Sequence, residues 1–386
     1  MARFPENAEY LLNVLRAVIN GEEAALPWEG VDLREVCRIA EDHRLAAMAY
    51  HGLYKLGIDE KEIEPFRICQ RGHMLHSVKL EREFLRVSAM LEEAGIPYCP
   101  LKGWFTKDLY PDPSMRVMHD VDILIHEEDA PAVRAIMNGL GYECRRFDLS
   151  EDDSYRLADI YFEFHRSLEP VGSSGRLFVK DPWSITEPVS GCMRKLELNE
   201  SYLYTVAHAM KHFTSSGTGL RTLLDIYLFR TREDLDSSYI EKRAGELGIA
   251  RFMHCMEDAA DSVFGGKTPS ADTEKLIDFM ISCGVVGDVE RLRTSNLVRS
   301  GRGKHSGSKL SYFLTLLFPS PKTMRFEYKV LFKAPWLLPF TYIARFFSLL
   351  FGGKGRLKRG RARFEAISME EANKLKEIYR ISGADE

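Results

Sequence analysis

The chain has 386 residues, 45% hydrophobic and 28% charged, the composition of an ordinary globular protein with length enough for two or three substructures. Its seven cysteines are scattered, odd in number and form no Cys-x-x-Cys pair, which excludes a zinc ribbon or a disulfide framework and sets a reducing cytoplasm as the expected compartment. The net charge of −4 hides an asymmetry, because residues 301–364 carry 14 Lys and Arg against one acid, Glu327.

The opening residues, Met1 to Glu6, lack the apolar run of a signal peptide. Residues 1–95 read as a helical region. Tyr10, Leu11, Val14, Leu15 and Val18 recur at helical spacing, Val31 to Leu56 continues the pattern, and Glu62 to Ala94 carries Met74, Leu75, Val78, Leu80, Phe84, Leu85, Val87 and Leu91. Gly95 and Pro97 end it. His73, Met74 and His76 are expected to pack between helices rather than to bind a ligand.

Residues 96–198 change rhythm. Ile96–Leu101 reads as a strand, Gly103–Leu109 as a short helix and Tyr110-Pro111-Asp112-Pro113 as a turn, since proline fixes φ and restricts its neighbour. Val117–Ile125, Tyr142–Phe147 and Arg156–His165 read as further strands, the last closing the sheet, with a helix over Glu127–Leu140. Within the second strand, Asp120 and Asp122 are spaced i, i+2 and share a face, ahead of the apolar anchor Ile123-Leu124-Ile125. Two adjacent carboxylates repel, and a hard divalent cation such as Mg²⁺ relieves that repulsion. A solvated turn with a capping role is the competing explanation of an isolated Asp-x-Asp. Here Gly103 permits close backbone approach to a phosphate, Lys102 and Arg116 add two cations at the same end, and Glu163 offers a third carboxylate from a neighbouring strand. Three such acids suit two-metal phosphoryl transfer.

Pro170 to Gly175 reads as a connecting loop. Residues 199–300 are helical to about Gly284, followed by a Gly- and Ser-containing charged stretch from Asp288 to Gly307. His208 and His212 lie i, i+4 on one helical face, but Ala209 stands where a zinc protease needs glutamate, so that reading is rejected. For His208, Lys211, His212, Arg221 and Asp225 two readings stand open: a cleft binding triphosphate or acceptor, with Asp225 orienting a cation, or a buried polar network joining two helices. In residues 301–386, Trp336, Phe340, Ile343, Phe347 and Leu350 fall on one helical stripe beside Lys354, Arg356, Lys358, Arg359, Arg361 and Arg363. Arg345, Pro335 and Pro339 interrupt any membrane span. The segment suits an anionic membrane surface, an RNA backbone or the acidic body of the chain itself.

Taken together, Leu101-Lys102-Gly103, the Tyr-Pro-x-Pro turn with Arg116, Asp120-Val121-Asp122 with its apolar tail, and Glu163-Phe164-His165 resemble the uncharacterised nucleotidyltransferase family of the DNA polymerase β-like superfamily. The resemblance spans residues 97–167, with a further match over 208–225. It implies an α+β fold, a palm of small mixed sheet and flanking helices set between helical N- and C-terminal regions. It implies Mg²⁺ (or Mn²⁺) at Asp120, Asp122 and Glu163, and nucleotide contacts from Lys102, Gly103, Arg116 and His165. Gly103-Trp104 stands where better-known relatives have Gly-Ser. The activity implied is transfer of a nucleoside monophosphate from an NTP to an acceptor, whether a small molecule, a protein side chain or an RNA end. The alternative is an inactive scaffold that senses nucleotide or docks on nucleic acid or membrane.

Overall fold

The computed structural model describes residues 4–148, 152–168 and 178–284 apart from position 233, then residue 295, scattered positions between 318 and 328, and residues 330–351 and 369–385. The expected loop at 170–175, nearly all of 288–307 and the basic run 354–363 lie outside the described residues. Two compact units emerge, Met1–Gly287 with Ile381–Glu386, and Asp288–Arg380.

In the first unit the chain opens with helices α1 (Glu6–Asn20), α2 (Leu33–Asp42), α3 (Ala46–Tyr54) and α4 (Glu60–Glu93). Asp32 and Asp59 cap α2 and α4 by accepting from the backbone N–H groups of Arg34 and Lys61 at 2.9 Å. The helical region expected over Val31–Leu56 holds two helices, α2 and α3, with a turn between them where Arg44 takes a left-handed φ of 57°. Met74 departs from the packing role expected of it: it is exposed, as are Leu75, Val78 and Leu85, while Leu80, Phe84, Val87 and Leu91 are the buried face of α4.

Strands β1 (Tyr98–Pro100), β2 (Asp120–Ile125), β3 (Glu143–Arg146), β4 (Asp152–Leu157), β5 (Ile160–His165), β6 (Thr186–Ser190) and β7 (Met193–Leu196) form a mixed seven-stranded sheet in the order β3-β4-β5-β2-β1-β7-β6. Two readings of the sequence need correction. Arg156–His165 is not one strand but the second half of a hairpin, turning at Ala158, and β5 lies in the middle of the sheet rather than closing it. The β6–β7 hairpin was not anticipated at all. Short helix α5 (Gly103–Thr106) follows β1, and α6 (Ala130–Gly139) follows β2.

The pleat sorts the side chains. Val121, Ile123 and Ile125 with Phe162 and Phe164 point into a core shared with α4 and α6. Ile123, Leu124 and Ile125 are fully buried, each contributing about 1.5–3 kcal/mol. Beyond the sheet come α7 (Leu198–Phe213), α8 (Leu220–Arg230), α9 (Ser237–Leu247), α10 (Ala250–Phe264) and α11 (Ala271–Cys283). The architecture is α+β, a mixed sheet flanked by helices. The second unit contributes α12 (Val330–Lys333) and α13 (Leu338–Phe351), and α14 (Met369–Ser382) begins in it.

Candidate active site

β2 and β5 run parallel, and their register sets Asp120 opposite Tyr161 and Asp122 opposite Glu163. Asp120, Asp122 and Glu163 line a cleft of about 540 Å³, a size typical of small-molecule sites. His208, Lys211, His212, Arg221 and Asp225 from α7 and α8 line the same cleft, as do Lys102, Gly103 and Arg116. Of the residues singled out from the sequence, His165 alone does not line the cleft. It stands behind Asp122, 3% exposed.

Asp122 is the most constrained of the acids. Its Oδ1 accepts from Lys102 Nζ at 3.0 Å and from His165 Nε2 at 2.7 Å. Burial pushes its carboxyl pKa up, but the Lys102 charge and the His165 hydrogen bond outweigh burial and hold it well below the usual carboxylate range. Asp120 and Glu163 shift the other way. Asp120 is exposed to solvent, yet the protein packed around it removes part of its hydration; this desolvation, and then the Asp122 charge, raise its pKa. Burial and then Asp122 raise Glu163, whose Oε1 lies 3.7 Å from Arg146 Nη2. Three neighbouring carboxylates thus share too little positive charge. Among the described residues, donor atoms of Asp122, Glu163 and His165 come within 4.8 Å of one another, while Asp120 lies outside that set. An oxygen-rich group of this kind, with its unrelieved repulsion, fits a hard divalent cation.

Lys102 reaches Asp122 from a left-handed backbone with φ of 50°. That geometry is costly for a residue with a Cβ and is held in place by the strand before it and the helix after it. The next residue, Gly103, lies directly against Arg116, and a methyl group there would overlap the guanidinium Nη1. Arg116 is buried and forms a two-pronged ion pair with Asp225, which also accepts from the Tyr110 hydroxyl at 2.7 Å. Arg221 is half-buried and donates from Nη1 to the Val117 carbonyl at 2.9 Å. Burial, and then the like charge of Arg116, lower its pKa. The residues of the α7–α8 cluster thus line the cleft, and Asp225 holds the Arg116 guanidinium in a buried ion pair that ties α8 to the segment before β2.

Several residues here carried no signal in the sequence. Arg44 and His119 line the cleft. Burial, and then the Arg44 charge, lower the His119 pKa to about 4. His43 is fully buried; its Nδ1 accepts from the Leu220 N–H at 3.1 Å and its Nε2 donates to the Ile281 carbonyl at 3.0 Å. It pins the start of α8, the helix that carries Arg221 and Asp225. Gly219 is required beside it, since a Cβ would overlap His43 Nδ1. Nothing local marks His43 or Arg44, because their roles arise only when distant segments meet.

A solved structure of the antibiotic-resistance factor ANT(2'')-Ia is similar over 50% of this chain and 95% of its own, at 14% identity and a TM-score of 0.27. No curated protein matches the chain. A family model described as uncharacterised nucleotidyltransferase matches residues 29–265, more than half of the chain and all of the cleft. The chain belongs to the uncharacterised nucleotidyltransferase family, a class of transferase enzymes.

Proposed function

We propose that this cleft transfers a nucleoside monophosphate from an NTP to an acceptor, with a divalent cation held by Asp120, Asp122 and Glu163. The observation that carries the reading is that one cleft is lined both by three carboxylates, Asp120, Asp122 and Glu163, and by Lys211, His208, His212 and Arg221. Mg²⁺ or Mn²⁺, when bound, supplies charge to offset the triphosphate and to activate the attacking oxygen. The chain's own residues do the rest. Lys102, which lines the cleft, balances charge on the phosphates, and Gly103 lets the backbone approach them. Lys211, Arg221 and Arg44 extend that positive surface and hold the departing pyrophosphate, where fixed cations in a partly desolvated cleft act more strongly than in water. Glu163, with its raised pKa, is suited to take the proton from the acceptor's hydroxyl or amine. His165 orients the Asp122 carboxylate from behind. Arg116, tied to Asp225, packs against Gly103 and holds the Lys102-Gly103 segment in place. The acceptor is a small molecule, a protein side chain or an RNA end.

The test is thermal stability of the wild type and of Asp122→Asn with each NTP, with and without Mg²⁺, followed by pyrophosphate release. A ligand that binds only the native state raises the melting temperature by mass action. We expect a Mg²⁺-dependent rise with one or more NTPs in the wild type, absent in Asp122→Asn. If no NTP shifts the wild type under any metal, nucleotide is not the ligand of this cleft and the reading fails.

A further inference from the structure

The second unit carries a helix whose most apolar side faces outward. Trp336, Phe340, Ile343 and Phe347 follow at i, i+4, i+7 and i+11, one stripe along the turn before α13 and through that helix. All four are exposed, from 51% for Phe347 to 71% for Trp336, and Phe346 beside them is 44% exposed. The other side faces inward: Thr341 is buried, and the Tyr342 hydroxyl donates to the Pro319 carbonyl at 2.5 Å. In a helix that served only to fold this unit, the aromatic stripe would turn in and the threonine and tyrosine hydroxyls out.

Charge identifies the occupant. From Tyr328 to Phe364 the sequence holds nine Lys and Arg and no Asp or Glu. A cationic flank beside an exposed aromatic stripe is the pattern of a helix lying in the headgroup region of an anionic bilayer. Spanning is excluded for α13, since 14 residues reach about 21 Å against the roughly 30 Å hydrocarbon core. An RNA backbone would be served by the same cations. It would offer nothing to Ile343 in the middle of the stripe, because base stacking uses planar side chains. We infer that the exposed stripe of Trp336 and α13 forms a docking surface for an anionic lipid bilayer, holding the enzyme at a membrane face. This inference is independent of the nucleotidyl-transfer reading.

The experiment is flotation of the full chain with phosphatidylcholine vesicles, with and without phosphatidylglycerol, beside the Phe340→Ser/Phe347→Ser double variant. Circular dichroism and a melting curve check that the variant is folded. The wild type should float with the anionic vesicles only, and its Trp336 emission should shift to the blue, a shift missing in Trp336→Phe. The double variant should bind at least about tenfold more weakly, the loss expected when two buried aromatic side chains leave the acyl boundary. Absence of vesicle binding by the wild type, equal binding by the folded double variant, or binding to single-stranded RNA with none to vesicles each overturns the inference.

Discussion

Arg116 and Asp225, 109 positions apart, meet in a two-pronged ion pair: Nε to Oδ1 at 2.9 Å and Nη2 to Oδ2 at 2.8 Å, both side chains under 10% exposed. The pair ties the segment before β2, which leads into the strand of Asp120 and Asp122, to α8, which carries Arg221. A buried pair of this kind adds little net stability, but removal of one partner leaves an unpaired buried charge. Asp225→Ala should therefore cost about 3–5 kcal/mol in chemical denaturation. The apolar double replacement Arg116→Met/Asp225→Leu should recover most of it. A double variant no more stable than Asp225→Ala would mean that the network does more than neutralise Arg116.

Gly103 and Arg116 make a second coupled pair. The overlap that a Cβ at 103 creates is with the Arg116 guanidinium, held still by Asp225. Gly103→Ala should cost about 1–3 kcal/mol, the usual range for overpacking a filled site. In an Arg116→Met background the same substitution should cost markedly less, and this non-additivity is the decisive readout. Equal costs in the two backgrounds would place the clash on Met118, the next nearest side chain, instead.

How far the sequence discloses this site depends on whether the cause is local. Asp120-Val121-Asp122 with its apolar tail announces a strand carrying acids on one face, and the structure contains that strand. Arg221 and Asp225 sit one helical turn apart, so their shared face is legible as well. The partner of Asp225 is not, because Arg116 reaches it only across the folded core. The β4–β5 turn uses Ala158 with φ of 55° where glycine or asparagine usually signals a hairpin, so two strands read as one. β6 is exposed beyond Thr186 and β7 is half-buried up to the buried Leu196, and both are short, so neither shows the alternation that marks a strand with one covered face. Met74 falls at helical spacing with buried residues, yet α4 is long enough to present a second apolar stripe to solvent. Periodicity fixes a face without saying which face is covered.

Asp120 is expected to oppose folding of the metal-free protein at neutral pH. A carboxyl whose folded-state pKa is raised favours folding while protonated, and that advantage is lost as pH rises through the folded value. Asp120→Asn should therefore leave the metal-free melting temperature at pH 7 unchanged or higher, while removing the stabilisation gained on adding Mg²⁺ or Mn²⁺. Such a gain in stability with loss of ligand response is typical of a site strained for function. A variant that melts well below the wild type without metal would assign Asp120 a structural role.

His43 supplies a pH test of the α8 anchor. Burial lowers its pKa to about 4, against an ordinary value of 6.5. Below pH 6.5 the unfolded chain takes up a proton at this histidine, while the folded chain resists until about pH 4. Stability should thus be fully present above pH 6.5 and decline as pH falls through that window, by on the order of 3 kcal/mol. The loss follows from the bonding: neutral Nδ1 accepts from Leu220 N–H, and a protonated ring cannot. His43→Gln should be less stable at pH 7 but should lack this component of the acid decline, so the wild-type and variant curves converge towards pH 4. His119, whose pKa is also lowered, is present in both proteins and cancels in the difference. Parallel curves across the window would show that the His43 proton is not linked to folding, and that α8 is held by its apolar packing alone.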